Sequence, residues 1–432
     1  MSVENNSPVT RLTLFVRAGA RHENGYNVGV THCLRSAANL ATTKKTAVAL
    51  TRTVQQIGAS LTATSTKEHM IYSVETDRDK ADVALECLME AVLNPQFYHW
   101  EVNNLKNNME IDLTLHKMNH EERVIELLHS AAFRTSVGRP LFAPEFMLGN
   151  YSSDMLKSFA DAHLKLDRMA LVGTGCPHDW LRSRTLSIVD APAPSVRHFP
   201  QGNKPAEVSA KSANSSATPN DEQSKYFGGQ LREEADSNLA MVAVAGEGVS
   251  LASKEAPAAY VLQRVFGVGP RVKWSASQNH GRLAKAIAGA LPGDSMFAVS
   301  GVNYNYSDCG LFGFFLSVDP SLAAKASRAA VLETAKIANG SLTEAELNVA
   351  KQQATADLMY SLEHEANRTE AMAQSVLNTG ELCPSAVEAI AQIKAVTMND
   401  VLQVAKRAAG SRTSMAAVGD LTDTPYLEQI IA

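Results

Sequence analysis

Leu12–Gly19 reads LTLFVRAG, and Leu239–Gly246 reads LAMVAVAG. Each is a short apolar run closed by glycine, the pattern of a buried strand. Behind each comes a polar gap and then a helical pattern, from about Asn27 in the first case and about Lys254 in the second. The correspondence continues downstream. Ser73-Val74-Glu75 closes a strand and leads into a helix over Lys80–Leu93, as Ser317-Val318-Asp319 leads into Leu322–Ala338. Glu101–Lys106 (EVNNLK) parallels Glu346–Lys351 (ELNVAK). Asp154-Met155-Leu156 followed by Met169–Gly173 (MALVG) parallels Asp400-Val401-Leu402 followed by Met415–Gly419 (MAAVG). The offset runs from 227 at the first pair to 246 at the last, so the chain reads as two copies of one fold.

Between the copies, Pro200–Gly229 is rich in Ser, Asn, Pro and Ala and has little to bury. It is expected to be a flexible linker, with one domain over 1–199 and a second over 230–432. Within each copy two strand runs lie a short break apart, Ala59–Thr66 with Glu68–Glu75, and Met296–Tyr304 with Gly310–Ser317. Such spacing favours antiparallel hairpins. Long helical patterns follow over Lys80–Leu93, Phe97–Lys117 and His120–Phe133. Strands grouped with strands and helices with helices predict an α+β fold: two homologous domains, each a mainly antiparallel sheet with helices packed on it. Gly267-Val268-Gly269-Pro270 lacks the third glycine of a dinucleotide loop and the Lys-Ser or Lys-Thr of a phosphate loop, and reads as a helix stop.

Composition excludes several classes of function. With 45% hydrophobic and 20% charged residues in 432, the chain is not a disordered polymer. Forty Lys and Arg against 45 Asp and Glu give a formal charge of −5, no match for a nucleic-acid backbone. No apolar run reaches the roughly 18 residues of a membrane span. The five cysteines, Cys33, Cys87, Cys176, Cys309 and Cys383, are scattered and odd in number, which argues against a disulfide scaffold or a zinc ribbon. Met1–Val9 has neither a secretory core nor an Arg-rich leader, so any targeting segment is expected to have been removed or to be cut by the chain start.

Chemistry concentrates in Gly29–Ala38, GVTHCLRSAA. This stretch resembles the signature of the pitrilysin-type zinc peptidases, a family that includes the mitochondrial processing peptidase. They carry Gly-Val-x-His-x-x-Glu-His on a helix, with two His on one face for zinc and a Glu between them that activates water. Here His32 matches the first ligand, Arg35 stands at the general-base Glu, and Ser36 stands at the second His. The third ligand, a Glu about 76 residues on, is matched by Asp112, and Leu128–Phe133 (LHSAAF) resembles a further family pattern. A guanidinium neither accepts a proton at neutral pH nor tolerates a dication beside it. A serine hydroxyl is a poor zinc ligand, and one His with one Asp falls short of three. No metal, catalytic residue or cofactor is expected, and Arg35 is expected to pair with Asp112.

Other candidates are weaker. His69, His99, His163 and His280 show no ligand spacing. His116 and His120 stand four apart at a helix junction, where a solvated polar face is expected. Cys33 adjoins His32, but adjacent helix positions do not face each other. The sequon at Asn214 falls in the linker, so glycosylation is not expected.

Three further segments resemble one branch of the family, the core subunits of ubiquinol–cytochrome c reductase (respiratory complex III). They are Phe266–Lys273 (FGVGPRVK), Asn305–Phe314 (NYSDCGLFGF), and Ser414–Leu421 (SMAAVGDL) with Thr424-Pro425-Tyr426. This branch implies a noncatalytic structural subunit, peripheral on the matrix side of the mitochondrial inner membrane. Its partners would be core protein 1 and the assembly containing cytochrome b and cytochrome c1, in a dimeric complex, with no nucleic acid and membrane association only through those partners. The alternative is a noncatalytic, presequence-binding partner subunit of a mitochondrial processing peptidase; the long glycine-rich loop of that subunit has no match here. The family also places a strand before Leu12–Gly19, and its apparent absence predicts an exposed edge on the first sheet.

Overall fold

The computed structural model describes residues 1–190, 222–269, 281–293, 295–380 and 383–431. Most of the expected linker, Asn214, His280 and the Pro270–Lys273 part of the GVGPRVK segment lie outside the described residues.

The first half opens with β1 (Ser2–Val3), β2 (Val9–Val16), α1 (Val30–Ser36) and α2 (Ala47–Gln56). The hairpin β3 (Ser60–Ser65) and β4 (Met70–Asp77) precedes α3 (Ala81–Leu93), α4 (His99–Met118) and α5 (His120–Ala132). It closes with α6 (Ser153–His163), β5 (Met169–Thr174) and α7 (His178–Val189). The second half runs β6 (Gly229–Glu234), β7 (Ala240–Glu247), α8 (Ala256–Phe266), α9 (Arg282–Ala290), β8 (Phe297–Asn305) and β9 (Gly310–Val318). Then come α10 (Ala323–Ala338), α11 (Glu344–Glu363), α12 (Glu365–Thr379) and α13 (Ala386–Ala395). The last elements are α14 (Met398–Gly410), β10 (Ser414–Gly419) and α15 (Leu427–Ile431).

Two five-stranded sheets result, ordered β1-β5-β2-β4-β3 and β6-β10-β7-β9-β8, the same arrangement strand for strand. Only β1–β5 and β6–β10 pair in parallel. The other ladders are antiparallel, with Leu12 opposite Val74 in one sheet and Val242 opposite Leu316 in the other. The α+β reading and the repeat are therefore both present. At Gly267 the φ of +108° ends α8, as a helix stop requires.

Three expectations are corrected. A strand does stand at the edge of the first sheet, but β1 pairs two residues of β5 where β6 pairs all six of β10. The Met1 ammonium adds a hydrogen bond to Leu171 O at 2.8 Å. The described end of the linker is tied down, because the Tyr226 hydroxyl donates to Arg412 O (2.6 Å) and Phe227 N–H donates to Ala132 O (2.8 Å). Finally, His116 is buried rather than solvated, with Nε2 at 2.6 Å from Glu126.

Both sheets are covered on both faces, and the alternation along each strand shows it. In β9, Phe312, Phe314 and Leu316 enter one core, while Leu311 and Phe315 enter another on the opposite face. That opposite face is covered by Val124, Leu128 and Ala132 of α5. In β2, Leu12, Leu14 and Val16 point one way and Phe15 the other, where it meets Ala373 of α12.

These helices are out of place in the sequence. One compact unit comprises Met1–Leu113, Pro140–Glu222 and Thr369–Leu382; the other comprises Thr114–Arg139, Gln223–Arg368 and Cys383–Ala432. Helix α5 follows α4 in the first half yet belongs to the second unit, and α12 follows α11 in the second half yet belongs to the first. Equivalent helices of the two repeats are reciprocally exchanged, so neither unit is a contiguous half of the chain.

Candidate functional site

Helix α1 begins where the backbone reverses at Gly29, with φ +80°. A side chain there would be strained, and its Cβ would overlap the Tyr151 hydroxyl and Ala143. The open N–H groups of the first turn are met by a carboxylate. Glu23, 1% exposed, accepts from Gly29 N–H (2.7 Å), Thr31 N–H (3.0 Å) and Thr31 Oγ1 (2.7 Å). Helix α4 runs alongside in the same unit. Its Val102, Leu105 and Met109 point into the core, leaving Asp112 at the border of that buried stripe.

The four positions singled out in the sequence converge. His32 is fully buried, and its Nε2 lies 3.3 Å from Asp112 Oδ2. Arg35 Nη2 lies 3.1 Å from the same oxygen, so the ion pair expected from the residue types is formed. Ala143 N–H donates to His32 Nδ1 at 3.1 Å, which makes Nδ1 the acceptor and places the ring proton on Nε2, facing the carboxylate. Ser36 Oγ turns back to donate to His32 O, four residues earlier, at 3.1 Å. Phe142 lies over the group: the Arg35 guanidinium is 4.9 Å from its ring centre, and the His32 ring meets it edge-on at 5.2 Å.

The resemblance implies zinc at this place, and the residues do not fit it. His32 has one ring nitrogen spent on a backbone amide and the other on Asp112. The carboxylate beside it, Asp112, already holds a guanidinium, a fixed positive charge beside any incoming cation. Among the described residues, no three His, Cys, Asp or Glu side chains converge on a common point. The one cysteine on α1 is no nucleophile. Burial pushes the Cys33 thiol up to about 12, far from the thiolate that chemistry would need. Burial, then the charge of Glu23 and the Cys33 thiol, raises Tyr151, whose hydroxyl donates to Val28 O at 2.8 Å.

Two family models match, Insulinase (Peptidase family M16) over residues 1–145 and Peptidase M16 inactive domain over 150–354. The human protein "Cytochrome b-c1 complex subunit 2, mitochondrial" is 33% identical over 99% of this chain and 89% of its own length. The chain belongs to the M16 peptidase family. The finer resemblance, to complex III core protein 2, is shown by the same match. "Probable mitochondrial-processing peptidase subunit alpha-1, mitochondrial" of Arabidopsis thaliana follows at 26%, over 98% of this chain and 80% of that one. A chain of the structure "Complex III2 from Candida albicans, Inz-5 bound" shares the fold, with TM-score 0.81 and 18% identity over 99% and 95% of the two chains. The inactive-domain match and the complex III relatives agree with a non-enzymatic member of the M16 family.

His69 and His163 are buried and His99 is exposed. His129, one residue into the LHSAAF segment, bridges two elements of the second unit: its Nδ1 lies 2.7 Å from Ile125 O and its Nε2 2.8 Å from the Tyr306 hydroxyl. Phe142 and Ala143 could not be found from the sequence, because over a hundred residues separate them from His32 and neither type advertises a site. Glu23 carried a faint signal, a carboxylate just ahead of a glycine-led helix start.

Proposed function

We propose that this chain is a noncatalytic structural and assembly subunit of mitochondrial respiratory complex III, the core protein 2 of that assembly. The observation that carries this reading is the match to complex III subunit 2 along nearly the whole chain, at 33% identity. Its partners are core protein 1 and the subunits bearing cytochrome b and cytochrome c1, within a dimeric complex. It sits peripherally on the matrix side of the inner membrane; no described helix is long and apolar enough to cross a membrane. Its two peptidase-like repeats, 1–199 and 230–432 with 200–229 between them, fold into two compact units that exchange α5 and α12.

The chemistry at α1 supports a noncatalytic role. Arg35 replaces the general base, Ser36 replaces the second His ligand, and Asp112 is committed to His32 and Arg35. A site so arranged binds no zinc and activates no water.

The test is native purification from mitochondrial membranes. Co-elution with b- and c-type haem absorbance is the expected result, with substoichiometric zinc by metal analysis. A soluble heterodimer that cleaves presequences would sink the reading in favour of a processing-peptidase partner. That second reading is favoured by processing-peptidase relatives at 24–26% identity.

A further inference from the structure

Cys87 stands on α3 with none of its surface exposed, and the Lys45 ammonium donates to its sulfur at 3.3 Å. Both residues belong to the first unit. The backbone around Lys45 sets this contact. Gln96 N–H donates to Ala41 O (3.0 Å), Thr43 N–H to Asn94 O (3.0 Å), and Lys44 N–H to Glu90 Oε1 (3.0 Å). Thr42 closes a turn on Lys45, giving its N–H to Lys45 O (2.8 Å) and taking Lys45 N–H on Oγ1 (3.1 Å). Thr46 follows as the cap of α2. The loop is therefore pinned beside the end of α3 by bonds that do not involve the Lys45 ammonium.

Glu90 lies one turn beyond Cys87 on α3 and is the ordinary partner for a lysine at this place. Lys44 takes it, with Nζ 3.5 Å from Oε2, and Asn94 Nδ2 donates to the same oxygen at 3.1 Å. Lys45 turns to the thiol instead. A nitrogen held 3.3 Å from sulfur stands at the separation of a near-attack pair, about 3–3.5 Å. A sulfenic acid formed on Cys87 would find this nitrogen in contact, while burial keeps bulkier thiols away.

We propose that Cys87 and Lys45 form a reversible sulfenamide cross-link when a hydroperoxide reaches the thiol. With hydrogen peroxide, the sulfur takes one oxygen, the O–O bond breaks, and one water leaves with the thiol proton. Lys45 Nζ, after losing a proton to solvent, attacks that sulfur. The S–N bond forms, the S–O bond breaks, and the hydroxyl leaves as a second water with another proton of the nitrogen. The thiol and the neutral amine lose two hydrogens between them, and the peroxide takes up two electrons and ends as two waters. Two molecules of an added thiol reverse the link, restoring both side chains and leaving one disulfide. The link spares Cys87 the irreversible step to sulfinic acid. Peroxide enters when the loop around Lys45 lifts, so the reaction is slow.

The test treats the full chain with excess hydrogen peroxide and maps its peptides by mass under non-reducing conditions. A pair joined through Lys45 and Cys87 is expected, lighter than the two peptides by two hydrogens and released by dithiothreitol. Trypsin should no longer cleave after Lys45 in that species. Lys45→Met keeps a long side chain and removes the amine; the link should be lost and Cys87 should advance to sulfinic acid, gaining two oxygens. Cys87→Ser should leave Lys45 unlinked. The parent protein decides the matter even if a variant fails to fold. Cys87 recovered as a free thiol, oxidised without joining Lys45, or bonded to another cysteine overturns the proposal.

Discussion

Arg35 Nη2 stands 3.1 Å from Asp112 Oδ2, joining α1 to α4. The same oxygen receives His32 Nε2 at 3.3 Å, so one carboxylate ties two side chains of α1. Asp112 is 41% exposed, and solvent screens the pair. Asp112→Asn should therefore lower stability by only about 1 kcal/mol, or about 2–4 °C in a domain of this size. Differential scanning calorimetry of the two proteins checks it, and a loss several times larger would mean the pair is effectively buried.

If Arg35 and Ser36 stand at the family's base and second-ligand positions, metal binding should appear only when both are changed to the family's residues. Arg35→Glu alone removes the opposing cation but leaves His32 and Asp112 as the sole ligands, short of three. Adding Ser36→His supplies a second imidazole four residues from His32, on the same helical face. Zinc by plasma mass spectrometry should be substoichiometric in the parent and in Arg35→Glu, and should rise only in the double variant. Stoichiometric zinc in the parent would contradict the reading of this site.

Glu23 is the residue on which the local geometry of α1 depends most. It is buried, and it satisfies two backbone amides and a hydroxyl at the start of a seven-residue helix that has no other side-chain cap. Glu23→Ala leaves those donors unpaired, at a cost of about 2–4 kcal/mol. Urea denaturation should show the unfolding free energy falling by that amount, through a lower midpoint with an unchanged slope. Glu23→Gln, which keeps one acceptor oxygen, should recover part of it.

Acid should weaken the first unit through His69. Burial lowers this imidazole to about 4; Glu68 opposes the shift, while Arg17 and Arg21 add to it. The unfolded chain takes up the proton near pH 6.5, whereas the folded chain resists it until about pH 4. The unfolded state therefore binds more protons between these values, and stability falls as pH drops through that window. Above pH 6.5 the contribution is fully present. Urea midpoints at pH 7.5, 6 and 5 should decline, and His69→Gln should flatten the decline.

The repeat and the α+β class were legible because the glycine-closed apolar runs Leu12–Gly19 and Leu239–Gly246 are a local signal. So was the Arg35–Asp112 pair, since a guanidinium and a carboxylate at positions brought together by the fold have one obvious outcome. Strand β6 was not, because GQLREE at a parallel edge is half-exposed and shows no clean alternation. Phe142 was not, because a ring that covers a site is indistinguishable in sequence from a core residue. The exchange of α5 and α12 was invisible for a deeper reason. Periodicity tells which face of a helix is buried and says nothing of which sheet buries it.

That exchange makes the two halves of the chain inseparable. In the second unit Val124, Leu128, Phe133 and Val137 cover Ala243, Phe315, Ala416 and Val418. At about 1.5–3 kcal/mol for each large side chain, these four supply about 6–12 kcal/mol. That is comparable with the whole stability of a domain, about 5–15 kcal/mol. A fragment starting at Gln223 should expose this sheet face, and aggregate or bind a hydrophobic dye. Co-expression with segment 114–139 should restore a soluble species with cooperative unfolding, because that segment carries all four covering side chains. A fragment 223–432 that unfolds cooperatively as a monomer would show that this face needs no cover. Leu128→Ala in the full chain gives a second reading, an expected loss of about 2–5 kcal/mol from a fully buried site in the first half of the sequence, felt in the unfolding of the second unit.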